Sequence, residues 1–459
     1  MEAPSPGRGT KHRLDEIIYQ REVGLSHPRK STRCLSASQA ILGKIDLYRK
    51  LVGHDGCVNS VGFNSTGDRL VSGSDDRKVI LWDWLTGDKR LQYHSGHLQN
   101  IFQTKFVPFT DDRVIVTSSA DGQVRLGQVL SNSNVHTKRL GKHEGGVYRL
   151  ALEPGSPHIL YSSGVDGFVQ HFDLRSNTAT KLFCCSAVGE NGKQPPNSIM
   201  VHDIAIDPRN LNNLGVGGSD EYARIYDIRK CRSDASRPSG VPINTFCPRH
   251  LIGSNQAHIT GLTFSNKSEL LVSYNDEFIY LFDKTAGDPR VYVGHRNCQT
   301  IKSVSFFGPD DEYVMSGSDC GHVFIWTKAG ARLVRLMRGD RHVVNHLDPH
   351  PHLPAFASCG IEKTIKLWLP MASDTPPLPD DFEKIMESNS RRREQDSQVI
   401  LTPEVVMHVL RLQRRQTTSY SERRYSSSDI ESNDNEMEAY VLGLLNANAA
   451  SQGGSSAES

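Results

Sequence analysis

GHDGCVNSVGFNSTGDRLVSGSDDRKVILWD, residues 53–83, is the stretch that decides the fold. Three short runs in it alternate apolar with polar or small residues: Val58-Asn59-Ser60-Val61-Gly62-Phe63, Leu70-Val71-Ser72 and Val79-Ile80-Leu81-Trp82. Alternation at period two places one face of a strand against a core and the other toward water. Between the runs lie Ser65-Thr66-Gly67-Asp68 and Ser74-Asp75-Asp76-Arg77, residues that favour tight turns. The stretch therefore predicts three antiparallel strands joined by two turns. A Gly53-His54 pair opens it and a Trp82-Asp83 pair closes it.

With those end pairs the stretch resembles one blade of a WD40 β-propeller. The resemblance implies a hydrogen-bonded tetrad of His54, Ser72, Asp76 and Trp82. His54 would bridge the Asp76 carboxylate and the Ser72 hydroxyl, and Ser72 would meet the Trp82 indole N–H. A half-buried imidazole and carboxylate need partners, and a closed chain of them satisfies each member. The role implied is structural, with no catalysis by His54 or Asp76.

The Trp82 position recurs at Gly127, Phe172, Tyr226, Phe282, Trp326 and Trp368, in steps of 45, 45, 54, 56, 44 and 42 residues. Four of these steps fit a blade repeat of about 40–45 residues. The two long ones carry polar inserts, Glu190 to Asn197 and Cys231 to Pro248. Seven repeats predict an all-β, seven-bladed ring. The tetrad looks complete in blade one and nearly so in blade three, through His143, Ser162, Asp166 and Phe172. Elsewhere residues depart from it, among them Gly127 for the blade-two tryptophan and Cys320 for the blade-six aspartate. Ile41 to Leu51 reads as a strand ahead of the first blade, and it is expected to complete the last blade and remove a free edge.

These elements divide the chain into an N-terminal arm (1–44), the propeller (45–370) and a mostly disordered acidic tail (371–459). In the arm, Leu14, Ile17 and Ile18 recur at helical spacing and Gly24 offers a stop. That short helix either packs beneath the ring or docks on a partner. In the tail, Pro376 to Asp381 reads as a linker. Two helices are expected beyond it, one from the Thr402-Pro403 start through Leu410 and one carrying Met437, Tyr440, Val441, Leu444 and Leu445. Ser426, Ser427 and Ser428 lie between arginines and acids, a plausible phosphorylation site.

The chain has 459 residues and 37% hydrophobic content with a net charge of +1. A ring of small sheets can reach that length without one large core. No run approaches the roughly 18 apolar residues of a membrane span. The start, MEAPSPGRGTKHRLDE, has no apolar segment of a secretory signal, so residence inside the cell, in nucleus or cytoplasm, is expected. Nine cysteines without a regular CxxC array then read as reduced thiols. Residues 1–44 carry eight Lys/Arg against four Asp/Glu, and residues 371–459 carry nine against fifteen. Such a balance argues against direct nucleic-acid binding, which wants a strongly basic domain.

The sequence holds no GxxxxGK[ST], HExxH or GxSxG. The His346, His350 and His352 cluster is punctuated by prolines, which suit a loop better than tetrahedral ligation. Neither cofactor nor metal is expected. More informative are Phe172-Asp173-Leu174-Arg175 and Tyr226-Asp227-Ile228-Arg229, where an Asp-x-Arg pair follows the blade aromatic. Asp can hold Arg through one edge of the guanidinium and leave the other for a partner. Two pairs on consecutive blades make two fixed points on one rim.

The segments Leu160 to Arg175 (LYSSGVDGFVQHFDLR) and Leu214 to Arg229 (LGVGGSDEYARIYDIR) resemble the sixteen-residue WDxR box of propellers that bind the damaged-DNA-binding adaptor of cullin-four ubiquitin ligases. Phe172 and Tyr226 stand where that box has tryptophan. Further stretches are similar to one branch of these receptors, the DDB1- and CUL4-associated factor eight group with its plant members. They are HDGCVNSVGFN (54–64), SGSDDRKVILWDW (72–84), LALEP (150–154), ARIYDIRK (223–230), SYNDEFIYLFD (273–283), SGSDCGHVFIW (316–326) and PHPHLP (349–354). The resemblance covers roughly residues 40–370.

It implies a non-catalytic substrate receptor. Asp173, Arg175, Asp227 and Arg229 would grip a DDB1-type adaptor, helped by the Leu14–Ile18 helix, and the opposite face would present a protein target. Two other readings compete: a signalling or chromatin scaffold outside any ligase, and an enzyme using the central channel. The enzyme needs convergent titratable groups on the inner strands, and such a set cannot be placed from the sequence.

Overall fold

The computed structural model describes residues 11–25, 27–186, 198–232, 240–254, 256–283, 287–374 and 376–396. Seven four-stranded antiparallel sheets account for all the strands among the described residues. Blade one is Val58–Phe63, Arg69–Ser74, Lys78–Asp83 and Asp88–His94, so each alternating run read above is a strand. The other blades follow in chain order, and the first strands of successive blades touch in turn until that of blade seven meets that of blade one. The ring is therefore closed around an axis lined by first strands.

Closure uses the strand expected for it. Ile45–Val52 pairs antiparallel with Thr364–Pro370, with Ile45 opposite Pro370 and Val52 opposite Thr364. It supplies the fourth strand of blade seven and removes the open edge. The strand starts later than the sequence reading placed it, because Gln39–Gly43 forms a short helix capped by the Ser38 hydroxyl.

Each blade buries its apolar faces against its two neighbours, so the core is seven wedges rather than one centre. The wedge between blades seven and one gathers Leu51, Val61, Trp82, Trp84, Ala357 and Leu367. That between blades three and four gathers Tyr161, Phe183, Val201, Leu214 and Tyr226.

Near the axis a second device joins the blades. An inward side chain accepts a hydrogen bond from a backbone amide of the next blade: Ser60 from Thr104 at 3.0 Å, Gln103 from Leu150 at 2.5 Å and Asp203 from Leu262 at 2.9 Å. Ser303 does the same for Leu347 at 3.2 Å, and Asp348 accepts from Phe63 at 2.8 Å across the closure. Each latch satisfies an inner amide that the sheets leave over.

The tetrad of blade one is assembled. His54 Nδ1 lies 2.9 Å from Asp76 Oδ2 and Nε2 lies 2.8 Å from Ser72 Oγ, while Trp82 Nε1 donates to Ser72 Oγ at 2.9 Å. Burial pushes the Asp76 carboxyl up, but His54 and the Asp55 and Lys78 amides outweigh it and hold it at about 2. Blade two matches blade three in its histidine network. His97 meets Thr117 at 2.8 Å and Asp121 at 3.1 Å; His143 meets Ser162 at 2.7 Å and Asp166 at 2.9 Å. In blade two the Tyr93 ring takes the space of the missing indole, since a Cβ on Gly127 would lie 2.5 Å from its hydroxyl.

Blade four replaces histidine with Arg224, which grips Asp220 through Nη1 at 2.9 Å and Nη2 at 2.5 Å. In blade six the network fails as Cys320 suggests: Trp326 Nε1 turns to the Val293 carbonyl at 3.0 Å. Neither ring nitrogen of buried His295 has a hydrogen-bond partner among the described residues.

The helix expected on Leu14, Ile17 and Ile18 is Lys11–Glu22, with Gly24 in the left-handed region at φ 74° just beyond it. Two longer helices were not expected, and the first is Pro28–Ser36 in the arm. Beyond the linker, Phe382–Asp396 is a helix. Leu378, Phe382, Ile385 and Met386 join the wedge of blades five and six. Asn389 donates to the Gly294 carbonyl, and Arg393 donates to the His295 carbonyl while lying 4.2 Å from the Phe278 ring centroid. The described residues up to Arg393 belong to one compact unit. The two helices and the serine cluster expected beyond residue 400 lie outside the described residues.

All nine cysteines are free thiols. Among the described residues no helix is long and apolar enough to cross a membrane.

Candidate functional site

Asp173 closes the third strand of blade three and Asp227 closes the third strand of blade four. Equivalent strand ends in adjacent sheets of one ring lie on the same edge of the disc. At both, the next residue is anchored to the loop before the second strand: Leu174 N donates to His158 O at 2.8 Å, and Ile228 N to Asn212 O at 2.8 Å. The aspartate then turns back on the chain. Asp173 Oδ1 accepts from the Arg175 amide at 2.9 Å and from its Nε at 3.1 Å, and Oδ2 accepts from Nη2 at 2.9 Å. Asp227 holds Arg229 alike, at 3.0, 3.1 and 3.0 Å.

The geometry repeats although the chain beyond it does not. Arg175 leads directly into the fourth strand, whereas Arg229 sits in a five-residue helix, Ile228–Arg232. The common cause is the two-residue spacing, which lets one carboxylate take an amide and a guanidinium edge at once.

The two arginine side chains are 62% and 69% exposed, and their aspartates 20% and 10%. Hydrogen bonds from Arg175 hold the Asp173 carboxyl well below the usual range, and Arg229 does the same for Asp227. Neither arginine bonds to another loop among the described residues, and Nη1 of each has no acceptor there. Each guanidinium is fixed by its own aspartate and presents its remaining edge to solvent. The corresponding aspartate of blade one, Asp83, holds Arg90 instead.

The arm's first helix bears partly exposed apolar residues. Ile18 and Tyr19 are open to solvent, as are Val23 and Leu25 just after it, and the helix packs on Pro28–Ser36. The side chain of Leu14 lies outside the described ones. Arg33 of the second helix pairs with Asp310 of blade six.

The histidine cluster is divided between three tasks. His346 faces the channel, His350 Nε2 meets the Gly67 carbonyl at 2.8 Å, and His352 Nε2 meets the Ser65 carbonyl at 3.0 Å. No group of three or more metal-ligating side chains occurs among the described residues.

The channel does hold the convergent titratable set that could not be placed from the sequence. Lys105, Arg149, Asp203, His346 and Asp348 line a cavity of about 530 Å3. Arg149 Nε lies 3.5 Å from Asp203 Oδ1. Burial raises the Asp348 carboxyl to about 6, and burial lowers Lys105 and His346. They come from blades two, three, four and seven, so no local motif carries them. The usable signal is the third residue of each first strand, which reads Ser60, Gln103, Arg149, Asp203, Gly261 and His346 in the blades that start alike.

Comparison with known proteins adds to this geometry. The model of the WD domain, G-beta repeat, matches residues 45–83, 288–327 and 332–368. WD and tetratricopeptide repeats protein 1 of Homo sapiens is 32% identical over 322 residues, 64% of this chain and 47% of that protein. Protein ALTERED SEED GERMINATION 2 of Arabidopsis thaliana is 32% identical over 300 residues, 59% of this chain and 39% of that protein. DDB1- and CUL4-associated factor 6 of Homo sapiens is 32% identical over 274 residues, 58% of this chain and 31% of that protein. The match spans less than half the length of each of these relatives. Three matched repeats within seven closed four-stranded sheets make the chain a WD40-repeat protein folded as a seven-bladed β-propeller, similar to a DDB1- and CUL4-associated factor.

Proposed function

We propose that the chain is a non-catalytic substrate receptor of a cullin-4 RING ubiquitin ligase, of the branch that resembles the factor eight group. The observation that carries this reading is the repeated Asp–Arg geometry on one edge of blades three and four. Two exposed guanidinium groups, each locked by a buried or half-buried carboxylate, are pre-organised to meet acceptors on a DDB1-type adaptor. The exposed apolar residues of the Lys11–Glu22 helix add a second point of attachment.

The similarity to DDB1- and CUL4-associated factor 6 supports the same assignment, since that protein's name records association with both ligase components. In this role the propeller does no bond chemistry. It raises the effective concentration of a target lysine beside a ubiquitin-loaded enzyme, as tethering does generally. Residence in nucleus or cytoplasm goes with this function.

A pull-down tests it. Wild type should recover the adaptor, and Arg175→Ala with Arg229→Ala should not, although folded. Losing a charge-assisted hydrogen bond costs about 1.5–3 kcal/mol, roughly tenfold to a hundredfold in affinity. Equal recovery would leave a scaffold that works outside a ligase.

A further inference from the structure

The inner latches single out two positions. Where Ser60, Gln103 and Asp203 offer an oxygen to the next blade, Arg149 of blade three can only donate. In blade seven the latch has moved two residues along to Asp348, which leaves His346 outside it. Arg149 and His346 are both more than nine-tenths buried. His346 Nδ1 has no partner among the described residues. Arg149 touches Asp203 through Nε at 3.5 Å and makes no hydrogen bond to a described residue through its terminal nitrogens. The Asp203 oxygens already accept from the Ile204 and Leu262 amides. A buried polar atom left like His346 Nδ1 is costly unless water or a ligand meets it.

These same two residues are the ones shared by the channel's two cavities. The larger one, about 530 Å3, also holds Lys105, whose ammonium makes no hydrogen bond to a described residue. The smaller one, about 240 Å3, is lined by Asn59, Phe102, Tyr148, Thr300, Ile301 and Asn345 besides Arg149 and His346. Phe102 and Tyr148 stack there at 5.1 Å between centroids. These lining residues stand at the starts of first strands, on the edge of the disc away from Arg175 and Arg229. The smaller cavity is below the ~300–1,000 Å3 of clefts that take cofactor-sized ligands. It suits one side chain or one small ion.

We propose that Arg149 and His346 form an oxyanion-binding site in the central channel, entered from the mouth lined by Asn59, Phe102, Tyr148 and Asn345. The ligand is a carboxylate or phosphate whose two oxygens match the guanidinium fork, with the imidazole giving a third hydrogen bond. It arrives either as a free anion or on the acidic side chain of a peptide laid across the aromatic rim. The site does not depend on any ligase role.

Calorimetric titration of the full chain tests it with two probes, inorganic phosphate and a blocked Gly-Ser-Glu-Ser-Gly peptide, with the Gln peptide as control. Wild type should bind at least one probe, and Arg149→Met should weaken that binding tenfold or more, with Arg149→Lys between them. Phosphate alone assigns a free ion, and the Glu peptide alone assigns a side chain. Because Arg149→Met removes a partner of Asp203 and could fail to fold, wild type is also followed by hydrogen exchange. Bound probe should slow exchange in Val147–Leu152 and Val344–Pro349. Wild type that binds neither probe, binding unchanged in Arg149→Met, equal binding of Glu and Gln peptides without phosphate binding, or no slowing in these strands would overturn the site.

Discussion

Asn389 donates its side-chain amide to the Gly294 carbonyl at 2.8 Å, and this bond ties the helix after the ring to the turn that opens blade six. Gly294 sits at φ 104°, and a Cβ there would lie 2.7 Å from Met386 Cε. Helix and turn are therefore fitted to each other. Asn389→Ala leaves the carbonyl without that donor and should lower stability by about 1–3 kcal/mol. Urea unfolding followed by tryptophan fluorescence measures this. An unchanged midpoint would mean that the helix only rests on the ring.

That helix also shows where the sequence stops being legible. Its inward positions are Phe382, Ile385, Met386, Asn389 and Arg393, at helical spacing. The last two are polar, so no apolar stripe announces it. Asn389 and Arg393 are buried polar residues that donate to the Gly294 and His295 carbonyls at the start of blade six. The blades are a different case. Each brings its own alternation and its own turn residues, so period and strand order follow locally, as does the closing strand Ile45–Val52. The Asp–Arg pairs were readable because two-residue spacing makes a local contact. The channel set was not, because Arg149 and His346 are 197 positions apart in the chain and meet only when the ring closes.

The rim pairs should contribute almost nothing to folding. Arg175 and Arg229 are largely exposed, and exposed ion pairs fall at about 0–1 kcal/mol. Arg175→Ala with Arg229→Ala should melt within about 2 °C of wild type while losing the adaptor. Replacing Asp173 and Asp227 by Ala should weaken binding in the same direction, since it frees both guanidinium groups to wander. Adaptor recovery unaffected by the aspartate changes would show that the arginines need no such fixing.

The blade-one tetrad sets an acid limit. Asp76 is held at about 2 in the fold against 3.8 for the free side chain. A lowered carboxyl contributes stability that is present above the unfolded value and is lost as pH falls through the folded one. Wild type should exceed Asp76→Asn by about 2 kcal/mol near pH 6, and the gap should close between roughly pH 4 and pH 2. Denaturant unfolding at stepped pH reads the gap directly. A constant gap down to pH 2 would remove the carboxylate charge from the account.

Asp348 works in the opposite sense. Burial raises its carboxyl to about 6 in the fold, so its contribution is full below the unfolded value near 4 and is lost as pH rises through 6. At neutral pH the chain carries a buried carboxylate whose one described hydrogen bond comes from the Phe63 amide. Asparagine at that position still offers an oxygen to Phe63 and avoids the buried charge. Asp348→Asn should therefore be more stable than wild type at pH 7, by up to about 3 kcal/mol, with the difference vanishing near pH 4. Attraction from Lys105 works against this gain, so Lys105→Met in the same background should enlarge it. If Asp348→Asn were instead less stable at pH 7, the ionised carboxylate would have to be a net support of ring closure, and the Asp348–Lys105 attraction would outweigh the burial of both.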